Sequence, residues 1–316
     1  MEKGKILFID TTHQILPDLL AETGFKIDHF ESKSKTDLLA IANDYQGFIV
    51  RSKFVLDKDI LDSASNLSFI GRLGAGMENI DVLYAESKGI RCFNSPEGNR
   101  NAVAEQAMGM ILSLFNNINK ADSEVRQGIW KREENRGIEL EGKTIGIIGY
   151  GNTGSTFAKK LSGFEVKILA YDKYKKDFSN SYVQESNLDD LFQNCDILSL
   201  HIPLNEETIY MVDKDFLTKF KKDIFLINTS RGKILKTKDL VELMEMGRIK
   251  GACLDVLEYE GTSFEALNHE NMPQAFNKLV KMPNVVLTPH IAGWTHESNV
   301  KLSRVLATKI IELFED

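Results

Sequence analysis

TIGIIGYGNTG, residues 144–154, is the stretch that decides the fold. The apolar run Ile145 to Ile148 reads as a short strand and leads into Gly149, Gly151 and Gly154 at the spacing G-x-G-x-x-G. A helix pattern follows over Ser155 to Ser162, and a second apolar strand ends on Asp172. Each part has a physical job. Gly149 allows the tight turn, Gly151 lets the backbone approach a pyrophosphate, and Gly154 lets the helix pack closely on its strand. The helix start offers unpaired N–H groups and positive dipole potential to the phosphates. A carboxylate closing the second strand accepts hydrogen bonds from a ribose diol and repels a 2′-phosphate, so Asp172 favours NAD over NADP. The three glycines alone are equally met by a glycine-rich turn. Strand before, helix after and acid at the right distance make this a dinucleotide site.

Working outward, strands and helices alternate along the whole chain. Candidate strands are Lys5–Asp10, Lys26–Phe30, Gly47–Ser52, Ser68–Leu73 and Ile90–Asn94, with helix patterns near Ile15–Thr23, Thr36–Asn43, Asp57–Ser63 and Ile80–Ser87. A long helix pattern runs from Asn99 to about Gln127. The glycine motif then opens a second series, with strands Lys167–Tyr171, Ile197–Ile202, Ile224–Asn228, Gly251–Val256 and Val285–Leu287, before a helix pattern over Thr295–Phe314. Such alternation implies parallel sheets covered by helices on both faces.

At 316 residues the chain exceeds one typical domain. A net charge of −7 argues against a nucleic-acid surface, and any anionic substrate must be captured by locally placed arginines. No apolar run reaches the ~18–20 residues that cross a bilayer, so no membrane partner is expected. The N-terminal MEKGKILFID passes directly into a strand pattern without a signal peptide. Cys92, Cys195 and Cys253 lie in or beside apolar runs and read as buried free thiols of a cytoplasmic protein. No metal site is expected.

Three side chains fall at strand exits in this chain: Arg231 in NTSRG, Glu260 in LDVLEYE and His290 in TPHIAGW. Taken singly, each is an ordinary surface or structural residue. Together they supply what hydride transfer to a 2-oxo acid needs: a cation for the carboxylate, a proton donor, and an acid to tune that donor. An unperturbed imidazole titrates near ~6.5 and exchanges protons near neutrality, and a carboxylate partner favours its charged form. A guanidinium stays cationic and forks onto a carboxylate.

The segments GRLGAGMENID, NSPEGNRNAVAEQ, GKTIGIIGYGNTG, LHIPLNEET, INTSRG, GACLDVLEYE and TPHIAGWT follow one another in an order that resembles the D-isomer-specific 2-hydroxyacid dehydrogenases, nearest to the phosphoglycerate dehydrogenase branch. That resemblance implies a fold of two doubly wound parallel-sheet domains. A Rossmann NAD domain (residues 99–290) is inserted into a flavodoxin-like substrate domain (1–98 and 291–316), with the active site in the cleft between them. It implies that Arg231 binds the substrate carboxylate and 2-oxygen, that His290 donates and accepts the proton, and that Glu260 hydrogen-bonds its imidazole. Gly74, Ala75 and Gly76 would meet the substrate carboxylate through their backbone, and Arg51 and Arg72 would face a phosphate. Beside the glycine loop, Asn152, Thr153, Pro203 and Thr208 would line the cofactor. So would Thr229, Ser230, Gly293 and Asp255, the last near the nicotinamide.

The implied reaction is NAD-dependent interconversion of a small anionic D-2-hydroxy acid and its 2-oxo acid. The favoured pair is 3-phosphoglycerate and 3-phosphohydroxypyruvate, in serine biosynthesis. The alternatives are a hydroxypyruvate or glyoxylate reductase, or a dinucleotide-sensing protein of the corepressor type. The helix after Asn99 resembles the family's homodimerisation element; a buried interdomain helix is the plain alternative. Two departures stand out. Gly261 follows Glu260 where the family usually has proline, and the segment 261–282 is long, either reshaping the cleft or decorating the surface. The chain also ends soon after its last helix pattern, so no appended regulatory domain is expected.

Overall fold

The structure, a computed structural model, describes residues 4–32, 34–261 and 272–314. These fall into two compact units. One contains the residues up to Arg100 and those from Trp294 onward; the other runs from Asn101 to Glu260 and ends at Gly293. Much of the expected insertion, residues 262–271, lies outside the described residues.

The first unit alternates β1 (Lys5–Phe8), α1 (Ile15–Glu22), β2 (Lys26–His29), α2 (Lys35–Ile41), β3 (Gly47–Val50), α3 (Lys58–Ser63), β4 (Phe69–Arg72), α4 (Val82–Ser87) and β5 (Arg91–Asn94). The strands form one parallel sheet in the order β2-β1-β3-β4-β5, the flavodoxin-like order. All four residues of β3 are buried, as a central strand covered on both faces requires. Ser34, Asp57 and Asp81 cap α2, α3 and α4 by accepting backbone N–H bonds. The Asp81 cap starts α4 two residues later than its apolar pattern suggests; Ile80 instead bridges to Leu56.

The expected single helix to Gln127 is two. α5 (Pro96–Phe115) and α6 (Ile118–Arg126) are separated at Asn117, whose φ of 52° is left-handed. Asparagine tolerates that region better than most residues, and its Nδ2 donates to the Arg136 carbonyl at 3.3 Å.

The second unit continues with β6 (Thr144–Ile148), α7 (Asn152–Leu161), β7 (Lys167–Tyr171), β8 (Gln184–Glu185), α8 (Leu188–Asn194), β9 (Ile197–Leu200), α9 (Lys214–Thr218), β10 (Ile224–Asn228), α10 (Thr237–Glu245), β11 (Ile249–Leu254), α11 (Gln274–Leu279) and β12 (Val285–Leu287). Its seven strands are parallel in the order β12-β11-β10-β9-β6-β7-β8. Counted from β6, this is the Rossmann order with one strand added. The chain reverses direction across the sheet between β6 and β9, the place where such sheets bind ligands. The polar pair β8 has no apolar signature and escapes sequence reading.

The chain closes with α12 (His296–Glu312), which returns to the first unit. Leu302, Leu306, Ala307 and Ile310 enter the core formed by Ile6, Phe8, Leu16, Ile49 and Phe69. At Gly98 the helices touch: a Cβ there would lie 2.5 Å from the Leu302 nitrogen. Lys309 reaches across to Glu97 at 3.0 Å.

Candidate active site

In the second unit, Asn228, Leu254 and Leu287, the last residues of β10, β11 and β12, sit side by side in register. Neighbouring strands run about 4.8 Å apart, so the loops leaving them share one end of the sheet. Arg231, Glu260 and His290 stand on these three loops. The Nδ1 of His290 lies 2.7 Å from Glu260 Oε2, and both side chains are largely buried. The other Glu260 oxygen accepts the backbone N–H of Leu257. Arg231 is drawn alongside by its neighbour Gly232, where a Cβ would lie 2.0 Å from the Leu257 carbonyl. Only glycine lets the two loops pass so closely.

His290 adopts φ 55°, a left-handed conformation that costs about 1–3 kcal/mol and persists only where the surroundings impose it. Asp255 imposes it. Its carbonyl accepts the His290 N–H at 2.7 Å. Its carboxylate accepts from Thr288 Oγ1 (2.6 Å), Ile291 N (2.9 Å) and Ala292 N (2.8 Å). At 1% exposure, the Asp255 carboxylate is engaged by the histidine loop. Gly293 follows directly after Ala292.

The glycine loop is built for close approach. Gly149 has φ 92°, and a Cβ on Gly154 would lie 2.0 Å from the Gly149 carbonyl, so α7 packs directly on the turn. Beside Gly151 there is open space, which a Cβ would partly fill. No side chain caps the α7 N-terminus, which begins at Asn152 and Thr153, earlier than apolar periodicity alone indicates. Asp172 accepts N–H bonds from Tyr150 (2.8 Å), Tyr174 (2.9 Å) and Lys175 (2.9 Å). Burial pushes its pKa up, but these backbone donors and the Lys175 charge outweigh it and hold the carboxyl below its ordinary value.

Other expected contacts are partly committed to the fold. Thr208 Oγ1 donates to the Pro203 carbonyl at 2.7 Å, closing that loop, and the Ser230 hydroxyl donates to the Leu200 carbonyl. The Thr229 hydroxyl is buried without a hydrogen-bond partner among the described residues. An orphaned buried hydroxyl at a strand exit, an open cradle at Gly151 and an uncapped ten-residue helix fit a dinucleotide.

Two residues lay outside the sequence expectations. His201, immediately after β9, touches both Ser199 and Thr153. Trp294 is 67% exposed, and its ring stacks 4.2 Å from the Arg51 guanidinium.

In the first unit, Arg51 directly follows β3, and Arg72 ends β4 in register with Val50, the last residue of β3. Arg51 N donates to Asp10 at 2.6 Å. The Arg72 guanidinium lies over Gly74, where a Cβ would be 1.6 Å from its nitrogen. Asn94 holds the Ala75 carbonyl at 2.6 Å, and the Gly74 N–H donates to Ser95 Oγ at 3.3 Å. That amide is therefore engaged within the fold, while Ala75 and Gly76 remain on the turn beyond it.

Residues 108–292, more than half the chain, match the model for the NAD-binding domain of D-isomer specific 2-hydroxyacid dehydrogenases. The chain belongs to the D-isomer specific 2-hydroxyacid dehydrogenase family. Within that family it is similar to the D-3-phosphoglycerate dehydrogenase of Archaeoglobus fulgidus, with 32% identity over 311 residues, covering 98% of this chain and 57% of that relative. The chain thus spans a little over half that relative's length. It is also similar to the hydroxypyruvate reductase of Thermotoga maritima, 36% identical over 282 residues and 89% of each. Among solved dehydrogenases, the D-lactate dehydrogenase of Aquifex aeolicus, complexed with NAD and lactic acid, matches with a TM-score of 0.83 and 26% identity. The match covers 98% of this chain and 95% of that one. No described helix is long and apolar enough to cross a membrane.

Proposed function

We propose that this dehydrogenase interconverts a D-2-hydroxy acid and its 2-oxo acid with NAD, and that Arg231, Glu260 and His290 carry the chemistry. The observation that supports this best is the 2.7 Å contact between His290 Nδ1 and Glu260, beside the Arg231 loop. Glu260 occupies Nδ1, so Nε2 is the nitrogen that gives its proton to the carbonyl oxygen in reduction and takes it back in oxidation. Arg231 pairs with the substrate carboxylate and fixes the carbonyl against the histidine. NADH, when bound, supplies the hydride. Asp172 takes the ribose hydroxyls and disfavours a 2′-phosphate.

The favoured substrate pair is 3-phosphoglycerate and 3-phosphohydroxypyruvate, with Arg51 and Arg72 as the residues for the phosphate. The Arg51 guanidinium lies over the Trp294 ring, and a guanidinium can fork onto an anion. The hydroxypyruvate reductase of T. maritima, similar over 89% of both chains, supports a second reading: reduction of hydroxypyruvate or glyoxylate without a phosphate site. Following NADH absorbance with 2-oxo acids that carry or lack a phosphate separates the two. Phosphohydroxypyruvate as best substrate, selectively weakened by Arg51→Ala, supports the first. Preference for glyoxylate or hydroxypyruvate with no Arg51 effect supports the second. No turnover with any 2-oxo acid, despite NADH binding, overturns the dehydrogenase reading itself.

Pairing with a second copy is also proposed. α6 has no buried residue, and Ile118, Val125, Trp130 (78% exposed) and Ile138 are exposed within one short stretch of the chain. Such a concentration of apolar surface marks an interaction face.

A further inference from the structure

His201 sits where the nucleotide sheet reverses. Its N–H donates to the Ile148 carbonyl at the end of β6 (2.8 Å), and its own carbonyl would lie 2.3 Å from a Cβ on Gly149. Its ring joins two hydroxyls. Nε2 lies 2.9 Å from Ser199 Oγ, in fully buried β9, and Nδ1 lies 3.3 Å from Thr153 Oγ1, in the first turn of α7. The Phe157 ring lies 5.3 Å away on the same helix. Burial pushes the imidazole pKa down to about 3, so the ring is neutral at physiological pH and carries one N–H.

A neutral ring between two hydroxyls can be polarised in two ways. With the proton on Nε2, the ring donates to Ser199 and accepts the Thr153 proton, so Thr153 has only lone pairs left. With the proton on Nδ1, Ser199 donates to Nε2, the ring donates to Thr153, and the Thr153 hydroxyl keeps its own proton to give. Thr153 belongs to the first turn of the helix whose N-terminus serves the pyrophosphate. An anion there is stabilised by donors and repelled by lone pairs.

We propose that His201 is a positioning residue for the dinucleotide. Held between Ser199 and Thr153, it takes the Nδ1–H tautomer when NAD(H) binds and so turns Thr153 into a donor toward the pyrophosphate. The inference rests on the NAD(H) reading of the site above. The proton count of the three-residue chain is unchanged: the ring gives up its Nε2 proton to solvent and takes one from solvent at Nδ1, the Ser199 proton rotates toward Nε2, and the Thr153 proton turns outward.

The test uses the full chain and NADH itself. ¹⁵N chemical shifts of the His201 ring in the wild-type protein, with and without saturating NADH, read the tautomer directly and require no variant. NADH fluorescence titration of wild type, His201→Phe, His201→Asn and Thr153→Val reads its consequence. Asparagine retains an amide donor at the Nδ1 position. The expected result is an Nδ1–H signature in the NADH complex. NADH affinity should fall about tenfold in His201→Phe and in Thr153→Val, the scale of one hydrogen bond to a charged group. His201→Asn should stay within about threefold of wild type. The Phe and Val changes should not add when combined, because they break one chain. A persistent Nε2–H form in the NADH complex overturns the inference. So does wild-type NADH affinity in a folded Thr153→Val. Failure of the wild-type protein to bind NADH overturns the underlying reading as well, which separates the two failures.

Discussion

Asp255→Asn tests how the histidine is held in place. The Asp255 carboxylate accepts Thr288 and Ile291 on one oxygen and Ala292 on the other. Asparagine retains one oxygen, which can keep the first two bonds, but its amide nitrogen then points a donor at the Ala292 N–H. One hydrogen bond to a charged group, worth about 1.5–3 kcal/mol, is lost, and a buried N–H is stranded at a cost of about 1–3 kcal/mol. The left-handed turn at His290 also loses part of what imposes it. Allowing for relaxation, the loop should open more easily by about 3 kcal/mol, roughly a hundredfold. Hydrogen exchange at the Ile291 and Ala292 amides reads that opening, and their protection should fall by this factor while that of β6 and β9 stays unchanged. Turnover should fall with it and NADH affinity should hold. Protection within threefold of wild type, or loss spread evenly over the whole unit, would refute the reasoning.

Four other outcomes follow from the same geometry. His290→Ala should lower kcat by about 10²–10⁴-fold, the scale of a general acid, with NADH affinity by titration nearly unchanged; an active variant removes the histidine from proton transfer. Asp172→Asn retains hydrogen-bonding capacity but loses the charge, so the ratio of kcat/KM for NADH to that for NADPH should drop by tenfold or more; an unchanged ratio contradicts the ribose assignment. His201 carries a stability signature. Its folded pKa, about 3, lies below the ~6.5 of an exposed imidazole, so between these values the unfolded chain binds the proton more readily. Its contribution is complete above pH ~6.5 and is lost as pH falls, at about 1.4 kcal/mol per unit within the window. The stability of wild type minus that of His201→Phe, from urea unfolding, should therefore fall from pH 7 to pH 5, and a flat difference would count against a ring held neutral by the fold. Trp130→Glu should shift the sedimentation coefficient to that of a monomer; a wild-type value moves the second copy to another face.

The strand positions were legible where a buried parallel strand is a short continuous apolar run, as in β1 and β3; the edge strand β2, KIDH, carries only one apolar residue. The catalytic candidates were legible for a different reason: Arg231, Glu260 and His290 each follow such a run by three to six residues. The Asn117 break, the two-residue β8 and the roles of His201 and Trp294 were not, because each depends on one dihedral or on a neighbour far along the chain. His201 and Thr153 are 48 positions apart, and no local pattern marks them as partners.

By itself, then, the sequence determined which segments become strands and that a dinucleotide turn lies at 149–154, since periodicity and glycine spacing act over a few residues. Only the tertiary structure decided what those residues meet. Strand order sets β10, β11 and β12 beside one another, Gly232 lets two loops pass at contact distance, and Asp255 fixes the turn that points the histidine at its acid. Those contacts arise from packing between distant segments, and their energies exist only once the sheet has closed around them.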